Sequence, residues 1–238
     1  MDERRAANLL YDANRFASAP VAAELFAREH WLARPGSRDA SGGRGGALHV
    51  RGEFGDAVLR HYRRGGVAAR VSDDRYVYTG AGRTRPFREF RVLARAHGEG
   101  LPVPAPIAAA FRRTGLAYRG DILVASVPEA RTLAQLVAAE APIDWGAIGT
   151  AIAQCHRAGY FHADLNAHNV LLDAAGRAWI IDFDRARVRV PARAWQQANL
   201  ARLQRSLRKL GAASAATFQS RDWPALVDAH AAALAGSP

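Results

Sequence analysis

A chain of 238 residues carries one cysteine, Cys155, one methionine, Met1, and one lysine, Lys209. A single cysteine excludes an internal disulfide and fits a reducing compartment. Cys155 reads as a buried free thiol. No run of about 18 apolar residues occurs, so no membrane-spanning helix is expected. The charged start Met1-Asp2-Glu3-Arg4-Arg5 is followed by no apolar core of about 7–15 residues, so no secretory signal is expected and a cytoplasmic protein is the default. Acidic residues are also short: 22 Asp and Glu stand against 33 Lys and Arg, a net charge of +11 and a pI near 11.0. Such an excess calls for an anionic partner, whether nucleic acid, an acidic lipid surface or a phosphorylated substrate. Charge alone does not choose among them. With 49% hydrophobic residues, a packed globular core is expected.

There is no internal repeat. Pro35 to Gly46 is a Gly-rich turn, and strand-like runs follow at Ala47–Arg51 and Ala57–Tyr62, joined by the turn Gly52-Glu53-Phe54-Gly55-Asp56. Thr84-Arg85-Pro86 opens a helix from Phe87 to His97. Leu101-Pro102-Val103-Pro104-Ala105-Pro106 is an extended connector, since its prolines forbid a central strand. Strands are expected at Ile107–Arg112 and Asp121–Ser126, and a link between lobes at Val127-Pro128-Glu129. Helices follow from Thr132 to Ala139, capped by Thr132, and from Asp144 to Ala158, stopped at Gly159. Ala192 to Lys209 is a basic helix with one buried stripe of Trp195, Leu200, Leu203, Leu207 and Leu210. Trp223 to Leu234 is the last helix.

Between these elements lies His162-Ala163-Asp164-Leu165-Asn166-Ala167-His168-Asn169, then the apolar Val170-Leu171-Leu172, then Ile180-Ile181-Asp182-Phe183-Asp184. An Asp, an Asn five residues on, an apolar strand and a second Asp closing another strand make a phosphoryl-transfer layout, H-x-D-x-x-x-x-N followed by D-F-x. Asp164 is the candidate catalytic residue, placed to orient a hydroxyl and accept its proton. Asn169 and Asp182 are the candidate ligands for Mg2+, which bridges nucleotide phosphates. The order predicts an α+β, protein-kinase-like two-lobe fold: a small β-rich lobe over residues 1–126, its first 35 an extension, and a mainly helical lobe over 127–238.

ATP binding asks for backbone N–H groups near phosphate, which Gly43 and Gly45 supply from the Gly-rich turn, and for a cation paired with a helical carboxylate. Arg60 stands in the V-A-I-K slot, with Arg where Lys is usual, and Glu89 sits on the next helix. Arg holds phosphate oxygens bidentately. His162 reads as a structural histidine bonded to backbone near the metal loop. Asn166 and His168 fall where substrate contacts fall, and a structural role stays open for both. Asp184 stands where Gly is usual; capping a turn, a second metal and pairing with Arg185 all stay open. Arg60 to Arg70, including Arg63 and Arg64, makes with Arg75 a dense basic patch, a candidate site for an anionic substrate or membrane headgroups.

Several strings together resemble the 3-deoxy-D-manno-octulosonic acid (Kdo) kinase family. They are His162 to Val170, Ile181 to Arg185, Leu59 to Gly66, Asp74-Arg75-Tyr76, Phe87 to Phe90, Gly100 to Ile107 and Ala198 to Ser206. The likeness runs from about Gly36 to the last helix. It implies transfer of the ATP γ-phosphate to the 4-hydroxyl of Kdo on a Kdo–lipid A precursor. It places the protein peripherally on the anionic cytoplasmic face of the inner membrane. It implies that Asp164 takes the catalytic position, and that Arg60 and Asp184 are family features. Alternative readings are a kinase of another sugar or small-molecule hydroxyl, and a non-catalytic pseudokinase or basic binding module. No A-P-E motif follows Asp182, and Pro191 arrives within nine residues, which leaves little room to dock a peptide. No helix-turn-helix signature, zinc ligand set or RNP-like string is present, so no nucleic-acid partner is expected. No obligate protein partner is inferred.

Overall fold

The computed structural model describes residues 1–6, 8–17, 23–39, 47–63, 74–211 and 216–236. Gly43, Gly45 and Arg64 lie outside the described residues. The chain divides into two units, Met1–Arg95 with Ala105–Ser126, and Ala96–Pro104 with Val127–Pro238.

Alternation builds the first unit. In β4 (Leu48–Gly52) the residues Leu48 and Val50 are buried while His49 and Arg51 are not. In β5 (Gly55–His61) Ala57 and Leu59 are buried and face the same core. The two strands pair antiparallel, Leu48 opposite Leu59 and Gly52 opposite Gly55. Gly55, at φ +89°, takes the left-handed conformation that closes the two-residue turn. Long strands β7 (Pro106–Thr114) and β8 (Ala117–Ala125) form the buried middle of the sheet, as their continuous apolar runs require. The short strands are β1 (Glu3–Ala6), β2 (Leu9–Asp12), β3 (Arg38–Asp39) and β6 (Tyr76–Val77). The order is β1-β2-β7-β8-β5-β4-β3, with β6 also pairing β8.

Residues 1–35, which carry no motif, supply part of this unit. Strand β2 pairs with β7, and Leu9, Phe26 and Trp31 join the core beneath the sheet. Trp31, on α1 (Arg28–Leu32), donates from Nε1 to the Leu25 carbonyl at 2.8 Å, so its polar edge is satisfied where it is buried. Helix α2 (Arg85–Gly98) buries Phe87, Phe90, Leu93 and Ala94, the apolar face legible in the sequence. It also buries Glu89, which periodicity alone does not explain.

The second unit is mainly helical. Segment 96–104 is tied to it: the Pro102 carbonyl accepts from Ile180 N–H at 2.8 Å, and Glu99 accepts from the Tyr160 hydroxyl at 2.9 Å. After β9 (Arg131–Thr132), helix α3 (Leu133–Ala138) begins with a capping box. Thr132 Oγ1 accepts from Gln135 N–H at 3.0 Å, and Gln135 Oε1 accepts from Thr132 N–H at 2.8 Å. Helix α4 (Trp145–Arg157) is capped by Asp144 and ends at Gly159, whose φ of +83° provides the left-handed stop. Cys155 is buried on α4, and burial pushes its thiol pKa up to about 12, which leaves it inert at neutral pH. An antiparallel sheet follows, β11 (Val170–Leu172) between β12 (Ala178–Ile180) and β9. A ribbon pairs β10 (Tyr160–Phe161) with β13 (Arg187–Val188). Helices α5 (Arg193–Lys209) and α6 (Trp223–Ala235) close the chain. The elements are those of the α+β, two-lobe kinase-like fold expected from the sequence. Among the described residues, no helix is long and apolar enough to cross a membrane.

The stripe of α5 differs from expectation at its ends. Leu200, Leu203 and Leu207 are buried, but Trp195 is only partly so and Leu210 is the exposed residue capping the helix. The helix ends at Lys209, one residue before Leu210. Gln196 and Asn199 are buried on it instead because they meet His156: Gln196 Nε2 donates to the His156 carbonyl, and Asn199 Oδ1 lies 3.3 Å from His156 Nε2.

Helix α4 crosses α6 at Gly149. A Cβ there would lie 2.1 Å from the Leu226 carbonyl oxygen, a backbone atom that cannot swing aside. Gly149→Ala is therefore expected to destabilise the protein by about 1–3 kcal/mol, despite the better helix propensity of alanine. Urea unfolding checks this; an unchanged midpoint would show that the two helices are not held this close.

Candidate active site

In the second unit, strand β10 leads into His162, which is buried and bonded at both ring nitrogens. Nδ1 accepts from Asp164 N–H at 3.3 Å, so Nε2 carries the proton and donates to the Ile181 carbonyl at 2.9 Å. Burial, its largest influence, lowers the pKa of His162 and keeps the ring neutral. One imidazole thus ties the backbone of Asp164 itself to the residue before Asp182.

The backbone carbonyl of Asp164 accepts from the side-chain amides of Asn166 and Asn169, each at 2.9 Å. Asn166 Oδ1 accepts from His168 N–H at 2.8 Å, a side-chain turn that leaves the His168 ring exposed. The Asn169 carbonyl in turn accepts from Ile181 N–H at 3.0 Å. Asp164, Asn169 and the peptide leading to Asp182 therefore share one hydrogen-bonded frame. Asp182 itself sits at φ +66°, a backbone region that non-glycine residues seldom occupy and that collects at functional sites.

The Asp164 carboxylate is 49% exposed, and its Oδ1 accepts from Arg202 Nη1 at 3.2 Å. Arg202, on α5, was not singled out by sequence reasoning. It is one basic residue among 33, and its only sequence signal was membership in the string Ala198 to Ser206. Behind the loop runs a buried relay. Asn199 Oδ1 accepts from His162 N–H at 3.2 Å and from His156 Nε2, so His156 Nδ1 accepts from His230 Nε2 at 2.9 Å.

Burial above all, and then the neighbouring His230, lower the pKa of His156 to about 4. His162 and His230 are shifted in the same direction by burial. The unfolded chain takes up these protons near pH 6.5 and the native protein does not, so native stability falls as pH drops from 6.5 toward 4. For His156 alone the slope approaches about 1.4 kcal/mol per pH unit in that window. A lower urea midpoint at pH 5 than at pH 7 is the expected result. An equal or higher midpoint at pH 5 would mean the histidines are not held neutral.

In the first unit, Arg60 projects from β5 to Glu89 on α2, with Nη2 2.5 Å from Oε1. The other carboxylate oxygen, Oε2, accepts from the Tyr62 hydroxyl. The Arg60 side chain remains 27% exposed and the Glu89 side chain 1%. A buried carboxylate with a donor on each oxygen is a fixed anchor that holds a partly solvated guanidinium in place. Tyr62 was not foreseen as part of the pair. Arg85 stacks on the Tyr62 and Tyr76 rings at 5.5 and 4.7 Å. Arg63 is exposed at the end of a described segment. His61 is held between Asp121 at 2.7 Å and Asp74 at 3.5 Å, and its hydrogen bond to Asp121 raises its pKa.

Asn169 and Asp182 offer hard oxygen donors. The Asn169 amide nitrogen is committed to Asp164, and among the described residues its Oδ1 takes no hydrogen bond. That donor set suits magnesium, which takes few protein ligands and completes its shell with phosphate and water. Among the described residues, no group of three or more His, Cys, Asp or Glu forms a self-contained metal cage.

A sequence profile of the Lipopolysaccharide kinase (Kdo/WaaP) family matches residues 29–230. A 3-deoxy-D-manno-octulosonic acid kinase of Xanthomonas axonopodis pv. citri (strain 306) is 51% identical over 205 residues, 85% of this chain and 80% of that protein. The enzyme of the same name from Stenotrophomonas maltophilia (strain R551-3) is 48% identical over the same shares. A solved structure of the bifunctional kinase-methyltransferase WbdD aligns at 16% identity and a TM-score of 0.44, over 81% of this chain and 43% of that one. The chain belongs to the lipopolysaccharide kinase (Kdo/WaaP) family.

Proposed function

We propose that this protein transfers the γ-phosphoryl group of ATP to the 4-hydroxyl of Kdo on a Kdo–lipid A precursor, at the cytoplasmic face of the inner membrane. The observation that carries the chemistry is the frame joining Asp164, Asn169 and Asp182 through His162. Family membership and two relatives near 50% identity, both named Kdo kinases, support the acceptor.

Asp164 is the catalytic residue of this reading. Its half-exposed carboxylate receives the proton of the acceptor hydroxyl as the oxygen attacks phosphorus, and before that step it aligns the hydroxyl. Arg202 holds that carboxylate by one oxygen and leaves the other for substrate. Asn169 and Asp182 would hold magnesium, which when bound supplies positive charge to the nucleotide phosphates. Arg60, anchored by Glu89 and Tyr62, donates to phosphate oxygens as the usual lysine does, with two donors in place of one. Gly43 and Gly45 offer backbone N–H groups to the phosphates. Asn166, His168, Arg63 and Arg64 contact the acceptor. The net charge of +11 attracts a phosphorylated lipid in an anionic bilayer.

The regiochemistry is tested by isolating the product of ATP and a Kdo–lipid A acceptor. Phosphorus–proton correlation spectra are expected to show coupling to H4 of Kdo. Phosphate on any other oxygen would overturn the assignment of the acceptor hydroxyl.

A further inference from the structure

From Arg185 to Arg221 the chain holds nine cations, Arg185, Arg187, Arg189, Arg193, Arg202, Arg205, Arg208, Lys209 and Arg221, and no carboxylate. Almost the whole net charge of the protein is thus concentrated in 37 residues, which runs against the mixed signs of an ordinary solvated surface. Four of these cations crowd into the nine residues from Arg185 to Arg193. All four are exposed, and among the described residues Arg185, Arg187 and Arg193 make no ion pair.

The same stretch exposes apolar side chains. Val188 is exposed, Val190 is 85% exposed, and Pro191 and Ala192 follow in the open. Behind them lie Phe161 and Trp195, ring to ring at 5.9 Å, with the Arg189 guanidinium stacked on Phe161 at 4.0 Å. The strip is rigidly mounted. Strand β13 pairs with β10, and Arg189 N–H donates to the Gly159 carbonyl at 2.8 Å. A Cβ on Gly159 would meet the Arg189 carbonyl oxygen at 2.3 Å, so this close approach requires glycine. Trp195 Nε1 donates to the Val190 carbonyl at 3.0 Å. Arginines alternating with exposed valines, backed by aromatic rings, fit a boundary that is anionic outside and apolar beneath.

We propose that the strip Arg185–Arg193 is the surface by which this protein docks on an anionic phospholipid membrane. This rests on the reading of the acceptor as membrane-borne. The position serves that reaction: Phe161, on β10 opposite Arg187 of the strip, stands three residues from Asp164, at most about 11 Å of extended chain. Arg193, at the end of the strip, opens the helix α5 whose Arg202 binds the Asp164 carboxylate.

The test is cosedimentation of the full chain with phosphatidylglycerol–phosphatidylethanolamine vesicles, for wild type and for the triple variant Arg187→Gln, Arg189→Gln, Arg193→Gln. Each lost cation is expected to weaken partition roughly fivefold, so the triple loses on the order of a hundredfold. The Arg→Lys triple keeps the charge and is expected to retain binding, which separates charge from folding. Wild type is expected to bind pure phosphatidylcholine vesicles far less. Turnover of a deacylated, water-soluble Kdo acceptor should be equal for wild type and variant.

Four results would overturn the surface: partition of the Gln triple equal to wild type, loss in the Lys triple as well, equal binding to neutral vesicles, or binding to duplex DNA with none to vesicles. Failure to phosphorylate any Kdo acceptor while vesicle binding follows the charge would instead sink the proposed function and leave the surface standing.

Discussion

Asp164→Asn is expected to cut turnover by about 10²–10⁴, the range that a positioned general base supplies, or about 3–5 kcal/mol of barrier. The substitution is nearly isosteric and removes only the proton-accepting charge. The loop should survive it. The groups that hold the loop in place are the Asp164 backbone carbonyl, which takes Asn166 and Asn169, and the backbone N–H, which meets His162. None of these is altered. Among the described residues the half-exposed carboxylate pairs with Arg202, and an exposed pair of that kind contributes about 1 kcal/mol or less to stability. Unfolding midpoint and ATP affinity are therefore expected to stay near wild type while labelled phosphate transfer collapses. A loss of less than tenfold, with the protein folded, would remove Asp164 from the chemistry.

The second large effect is expected at Arg60. Arg60→Met takes from the Glu89 side chain, 1% exposed, the cation bound to its Oε1 and leaves the Tyr62 hydroxyl on Oε2. Breaking a buried pair from one side costs about 3–5 kcal/mol, and the low end applies because Arg60 keeps part of its side chain in water. Nucleotide binding should weaken at the same time. The two consequences separate in a double variant. Arg60→Met with Glu89→Gln replaces the buried charge by a neutral amide and is expected to recover most of the stability. It should recover none of the activity, because the cation is still missing. Arg60→Lys keeps a charge at the position but offers a point donor in place of a fork, so it should fold well and turn over slowly. Full activity in the double variant would show that Arg60 serves the fold alone.

Local spacing explains what was legible. Asp164, Asn169 and Asp182 lie within nineteen residues and are separated by one strand pair, so the frame that joins them is nearly fixed by chain order. The α+β order of the fold was legible for the same reason, as were the cap at Thr132 and the stop at Gly159. What escaped depends on long-range packing. Tyr62 reaches Glu89 across 27 residues, Arg202 reaches Asp164 across 38, and His156 reaches His230 across 74. Each is a common residue type whose role comes from a partner that no local pattern names. Strands β1 and β2 were missed because four-residue pieces are too short to show alternation. Gln196 and Asn199 take buried places on α5 because their partner, His156, is polar, which a stripe of apolar positions cannot foretell.

The central claim is phosphoryl transfer from ATP to a Kdo-bearing lipid through Asp164. The most direct test incubates the purified protein with γ-labelled ATP, magnesium and a Kdo–lipid A acceptor, beside the Asp164→Asn variant. Label in the lipid fraction for wild type, with a loss of at least a hundredfold in the variant, is the predicted result. Equal labelling by the two proteins, or wild-type protein that binds ATP and leaves the lipid unlabelled, would contradict it.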